Sequence, residues 1–123
     1  MATGARVLVV DDDRDICETL RDILEIERYK VTTVGDGYGA IDLVARQPFD
    51  VVLLDIKMPG IDGFETHRRI RQITAELPVI LVSAFAVGEA IQAALNDGVF
   101  AAMKKPVPIA RLLETIEAAL KAS

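Results

Sequence analysis

The chain has 123 residues and a single cysteine, Cys17, so it can close no disulfide within itself. A lone thiol in a domain of this size fits a reducing compartment, the cytoplasm. No apolar stretch approaches the ~20 residues that a membrane helix requires. The start, Met1-Ala2-Thr3-Gly4-Ala5-Arg6, leads into a short apolar run that meets three aspartates, which is not the layout of a secretion signal. There is no basic run to offset the net charge of -5, and Arg68, Arg69 and Arg71 read as the solvated face of a helix, which argues against direct nucleic-acid binding. Neither GxGxxG nor a Walker-type loop occurs, so a nucleotide is not the obvious phosphate carrier. Repeats, low-complexity tracts and linkers are absent as well, and residues 1–123 read as one domain.

Short apolar runs that end in polar residues are what the chain does have. Val51-Val52-Leu53-Leu54 runs straight into Asp55 and then Ile56-Lys57-Met58-Pro59-Gly60; Val7-Leu8-Val9-Val10 runs into Asp11-Asp12-Asp13. A run apolar on both faces and bounded by turn residues suits a strand inside a parallel sheet. The spacing predicts strands over Arg6 to Val10, Lys30 to Val34, Val51 to Leu54, Val79 to Val82 and around Val99 to Met103.

Helices are predicted between and after these strands. The first follows Asp13, a plausible N-cap, with Ile16, Leu20, Ile23 and Leu24 on its apolar face. The second runs through Ala40, Ile41, Val44 and Ala45 to before Pro48, and the third, about Gly63 to Ile73, carries Phe64 and Ile70. Val87, Ala90, Ile91, Ala94 and Leu95 mark the fourth, stopped by Asn96-Asp97-Gly98; Ile109, Leu112, Leu113, Ile116 and Leu120 mark the fifth. Five strand–helix alternations specify an α/β protein, a parallel sheet sandwiched between two helix layers.

In such folds the ligand crevice lies at the carboxyl ends of the strands. The polar residues there are Asp11, Asp12, Asp55, Ser83 and Lys105. Carboxylates without a neighbouring histidine or cysteine make a hard-oxygen site suited to Mg²⁺, which commonly shares one or two carboxylates with a phosphate. Lys105 offers a positive charge to a phosphoryl oxygen and Ser83 a hydroxyl donor. A carboxylate can itself be a nucleophile and form an acyl phosphate, and Asp55, alone at its strand end, is the best candidate.

Val9-Val10-Asp11-Asp12-Asp13, Leu53 to Gly60, Val82-Ser83-Ala84 and Lys105-Pro106 together resemble the receiver domain of two-component response regulators, over essentially the whole chain. The resemblance implies a flavodoxin-like three-layer α/β/α sandwich with five strands in the order 2-1-3-4-5 and five helices. It implies that Asp55 takes a phosphoryl group from a phosphohistidine on a sensor kinase or His-containing phosphotransferase. Asp12, Asp55 and the backbone carbonyl of Lys57 would bind Mg²⁺ (or Mn²⁺) directly, with Asp11 acting mainly through a coordinated water. Ser83 would be the switch hydroxyl, Lys105 would pair with the phosphoryl group, and the Lys105-Pro106 bond would be cis. The signal would be read on the face of the fourth helix, fifth strand and fifth helix by an effector or a fused output domain. Partner choice would lie on Arg14, Asp15, Glu18 and Thr19 and on the loop at Val107-Pro108. Such a domain is no enzyme beyond making and losing its own phosphate.

Two positions depart from the family pattern. Ala102 stands where an aromatic residue usually sits, and Phe100 where the family tends to be acidic. The expectation is that Ser83 and the Ala84–Ala90 loop still move, with no rotating ring to report it. Lys57 and Phe85 are expected to flank the path of an attacking water and to slow loss of the phosphate. Two other functions compete with the switch. One is a degenerate receiver acting as a constitutive protein-binding module, favoured by Ala102 and Phe100. The other is a small aspartate-nucleophile phosphatase, disfavoured because Lys57 stands where a second aspartate would serve as general acid. His67, the only histidine, reads as a residue on the exposed part of the third helix, Cys17 as a small residue partly facing the core, and Met58 and Met103 as packing. No DNA-binding segment follows the last helix before Ser123, so the expectation is either a domain that signals by docking or a piece of a longer regulator or hybrid kinase.

Overall fold

The computed structural model describes residues 4–86 and 88–122. Ten elements alternate along it: β1 (Arg6–Val10), α1 (Arg14–Ile26), β2 (Lys30–Val34), α2 (Gly37–Arg46), β3 (Val51–Leu54), α3 (Gly63–Ile73), β4 (Val79–Ser83), α4 (Glu89–Asn96), β5 (Ala101–Lys104) and α5 (Ile109–Ala122). All strand pairs are parallel, and the sheet order is β2-β1-β3-β4-β5. The protein is therefore an α/β/α sandwich of the flavodoxin-like order.

The strands are apolar throughout because both sheet faces are covered, and alternate residues go to opposite layers. Val7, Val9, Val51, Leu53, Ile80 and Val82 pack with Leu24 of α1 and Leu112 and Ile116 of α5. Leu8, Val10, Val52, Leu54, Val79 and Leu81 pack on the other side with Ala40 and Val44 of α2, Ile70 of α3 and Ala94 of α4. Cys17, Met58 and Met103 are buried in these two clusters.

Three details differ from the sequence reading. β5 begins at Ala101 because the Val99 amide donates to Ala94 O (3.1 Å) and closes the end of α4 instead of joining the sheet. α4 begins at Glu89, and Val87, assigned to that helix from its spacing, lies outside the described residues, as do Met1 to Thr3 and Ser123. His67 is not exposed: only 4% of its surface reaches solvent. The buried residues of α3 are Gly63, Thr66, His67 and Ile70, at offsets of zero, three, four and seven. That is a complete helical stripe, and two polar residues are carried inside with it because α3 is covered by its neighbours along that whole stripe.

Candidate functional site

Each acid of the site is placed by the strand that precedes it. Asp11 follows β1, and its amide still donates to Val34 O of β2 (3.1 Å); Asp55 follows β3, and its amide donates to Val10 O of β1 (2.9 Å). The sheet's own hydrogen bonding thus continues one residue past each strand and fixes both acid backbones side by side. The side chains are held as well. Asp11 Oδ1 accepts from the Asp13 amide (2.9 Å), and Asp55 Oδ1 accepts from the Ile56 amide (2.8 Å). Cys17 Sγ donates to Asp11 O (3.2 Å), pinning the first turn of α1 to the same loop.

Asp11, Asp12 and Asp55 each offer a carboxylate oxygen, and these oxygens lie within 4.8 Å of one another. Asp11 is buried and Asp12 exposed. Lys105, from the loop after β5, reaches in from the far edge: its Nζ is 2.5 Å from Asp11 Oδ2 and 3.7 Å from Asp55 Oδ2. Burial holds the Asp11 carboxyl above the usual aspartate range even though hydrogen bonds from Lys105 and the Asp13 amide pull it down; the charge of Asp55 pushes the same way as burial. Three carboxylates against one ammonium leave two negative charges in excess. A hard divalent cation would cancel them, and the all-oxygen donor set with room for water fits such an ion.

Ser83, at the end of β4, is fully buried, and its Oγ accepts from the Phe85 amide (3.2 Å). Its carbonyl accepts from the Lys105 amide (3.1 Å) and the Ala86 amide (3.3 Å), so the β4 and β5 loops are tied together just behind the acids. The Lys105-Pro106 peptide bond is cis. Lys57, two residues past Asp55, turns its Nζ over the Phe85 ring, 4.9 Å from the centroid. Phe85 is 53% exposed, so this pair sits at the solvent edge of the site. Ala102 is partly buried in the α2–α3–α4 layer, and Phe100 is 37% exposed.

The structure brings together all the strand-end residues singled out in the sequence, with Lys57 on the adjoining loop. One contributor went unnoticed there. Gly63, at the start of α3, donates to Ile56 O (2.6 Å), and a methyl in its place would strike the Asp55 carbonyl and lie 2.7 Å from Ile56 Cα. The helix is packed directly on the acid's backbone, which only a residue without Cβ allows. A glycine one residue after a capping aspartate, Asp62, was the signal.

The sequence profile of the response regulator receiver domain matches residues 7–117. The response regulator MprA of Mycobacterium leprae (strain TN) is 38% identical over 117 residues, covering 94% of this chain and 51% of that protein. The chain spans about half the length of the curated relatives it matches. Among solved structures, a CheY-like response regulator receiver domain protein from Methanospirillum hungatei JF-1 superposes with a TM-score of 0.93 at 31% identity, covering 98% of this chain and 96% of that one. The response regulator TrrA of Thermotoga maritima, solved in complex with Mg²⁺-BeF, gives 0.84 at 30% identity, covering 94% of this chain and 99% of that one.

Proposed function

Because the chain belongs to the response regulator receiver domain family of two-component signalling, we propose that it is a phosphorylatable switch whose acceptor is Asp55. The observation that carries this is the meeting of three carboxylates within 4.8 Å with Lys105 spanning Asp11 and Asp55. An Asp55 carboxylate oxygen forms the new O–P bond, and the N–P bond of a partner's phosphohistidine breaks with its electron pair going to the imidazole nitrogen. Asp11, Asp12, Asp55 and the Lys57 carbonyl would hold Mg²⁺, or Mn²⁺ in its place. When bound, the ion supplies charge neutralisation for the incoming phosphoryl oxygens. The Mg²⁺-BeF complex of the Thermotoga maritima relative supports this assignment.

Lys105 already lies between two carboxylates, and its ammonium is the chain's own partner for phosphoryl oxygens. Ser83 Oγ now accepts from the Phe85 amide; turning toward the phosphoryl group would give up that bond and move the loop that carries Phe85. Phosphorylation thereby shifts α4 and β5 between two arrangements, read by an effector or a fused output domain. The phosphodonor, a sensor histidine kinase or His-containing phosphotransferase, docks beside Lys105. There a cavity of about 590 Å³ between α1 and α5 is lined by Ile16, Leu20, Val107 and Ile109. Arg14, Asp15, Glu18 and Thr19 on α1 and Val107-Pro108 set its specificity. Residues 1–123 act as a single domain with no chemistry beyond gaining and losing the phosphate. No described helix is long and apolar enough to cross a membrane, and we place the switch in the cytoplasm.

The exposed Phe100 and the small Ala102 favour a second reading, a constitutive protein-binding module. Acetyl phosphate with Mg²⁺ separates the two. The switch predicts covalent labelling of the wild type that is lost in Asp55→Asn; a wild type that takes no label overturns it in favour of the module.

A further inference from the structure

The strongest feature outside the acid site is the seam between α3 and α4. Phe64, His67 and Arg71 stand at offsets of zero, three and seven on α3, one stripe of that helix. Phe64 and His67 line a cavity of about 230 Å³ whose other wall is Ala90, Ala93, Ala94 and Asp97 of α4 and its C-cap. Arg71 Nη1 donates to Asp97 O, and Gly98, beside the guanidinium, leaves it room: a methyl there would lie 2.9 Å from Arg71 Cζ. α4 thus faces α3 across this cavity, its alanine methyls opposite His67, and is tied to it by one arginine latch at its end. It has eight residues, starts at Gly88 with no side-chain cap, and buries only Ala94.

We propose that His67 is a proton-operated release beneath α4: neutral, the buried imidazole lets the helix lie over α3, and protonated, it drives α4 away from α3. Acid would then act on the α4–β5 face from beneath, without passing through Asp55. Among the described residues every ion pair uses lysine or arginine, so no acid is paired with the imidazole. The charged groups around it are Asp62, Glu65, Arg68 and Arg71 from the α3 side and Asp97 from α4. Glu65 is committed to Arg68 and Arg69, both at 2.7 Å. Arg71 and Asp97 remain, of opposite effect. Burial pushes the imidazole below its usual value, Arg71 adds to this, and Asp97 opposes it.

The direction of the effect follows from linkage. Above the ordinary histidine value both the seated and the released states are neutral, and pH does nothing. Between that value and the depressed one, the released state binds the proton and the seated state does not, so each pH unit of acidification multiplies the release constant by up to about ten. Below the depressed value the effect is complete.

His67 is the only histidine of the chain, so in protein freed of any tag its imidazole gives a single NMR titration. The experiment follows that titration together with amide protection factors for residues 89–96, without metal or phosphodonor. The imidazole midpoint should fall below about 6.5, and α4 protection should drop with the same midpoint while β1 and β3 stay protected. In His67→Gln, α4 protection should be flat over that range; Asp97→Asn should move the wild-type midpoint lower. An imidazole that titrates at the ordinary value with α4 protection unchanged overturns the proposal. So does a His67→Gln protein with the same pH response as wild type. Should that variant fail to fold, the joint titration in the wild type and in Asp97→Asn decides. Asp55→Asn should keep the full proton response, which separates this device from the phosphoryl switch.

Discussion

Three of the helices begin on an aspartate whose side chain closes the first turn. Asp13 accepts from Asp15 and Ile16 amides at 2.9 and 3.2 Å, Asp36 from Gly39 at 2.7 Å, and Asp62 from Glu65 at 2.8 Å. The fourth begins at Gly88, with φ of 74° and no side chain to cap it. The same division runs through the sheet. β1 and β3 are buried along almost their whole length, whereas β5 is only partly covered and its neighbours Leu95 and Phe100 are 38% and 37% exposed. One half holds three like charges together and must not yield; the other is lightly anchored and can be displaced at small cost. A switch needs both, because a displacement costing a few kcal/mol can be driven by one phosphoryl group only if the site that receives it stays put.

Substitutions can break or sharpen this contrast. Leu54→Ala, in the fully buried end of β3, should cost about 2–5 kcal/mol in urea unfolding, while Leu95→Ala on α4 should stay within about 0.5 kcal/mol. Equal losses would erase the distinction between the halves. Gly63→Ala should cost about 1–3 kcal/mol, since its methyl meets backbone at Asp55 and Ile56 and not a flexible side chain. It should also lower acetyl phosphate labelling of the folded fraction by shifting Asp55. Asp62→Ala and Asp13→Ala, each removing a cap, should cost roughly 1 kcal/mol by thermal or urea melts. The smallest effect is kinetic. A cation over a ring at an exposed site contributes about 0.5–1 kcal/mol, so Lys57→Asn or Phe85→Ala should speed loss of the aspartyl phosphate roughly two- to fivefold. Half-lives unchanged in both would remove the Lys57–Phe85 pair as a shield for the phosphoryl group.

The acids, Ser83 and Lys105 were legible because each ends an apolar run, and in a parallel sheet every such run delivers its last residue to one edge. The resemblance to receivers then supplied strand order, which periodicity cannot. The cis Lys105-Pro106 bond came from that resemblance too and is present. Sequence alone puts His67 outside because Phe64 and Ile70 read as the apolar positions of α3, whereas the structure buries it. Gly63 and Ile70, seven apart, already require the residues at offsets three and four to be inside, and these are Thr66 and His67. Sequence alone starts β5 two residues early because Val99 is as apolar as a strand residue, yet its amide is spent on α4.

Residue order alone determined the layered α/β plan and the set of groups that gather at the carboxyl edge, since both depend on local periodicity and on where each apolar run stops. Only the assembled structure decided that Lys105 lies 2.5 Å from Asp11 after 94 intervening steps of sequence, that Lys57 lies over Phe85, and that His67 lies beneath α4. Those are contacts between separate elements. They are fixed by how sheet twist, helix packing and the available volume fit together, and no stretch of chain read by itself contains that information.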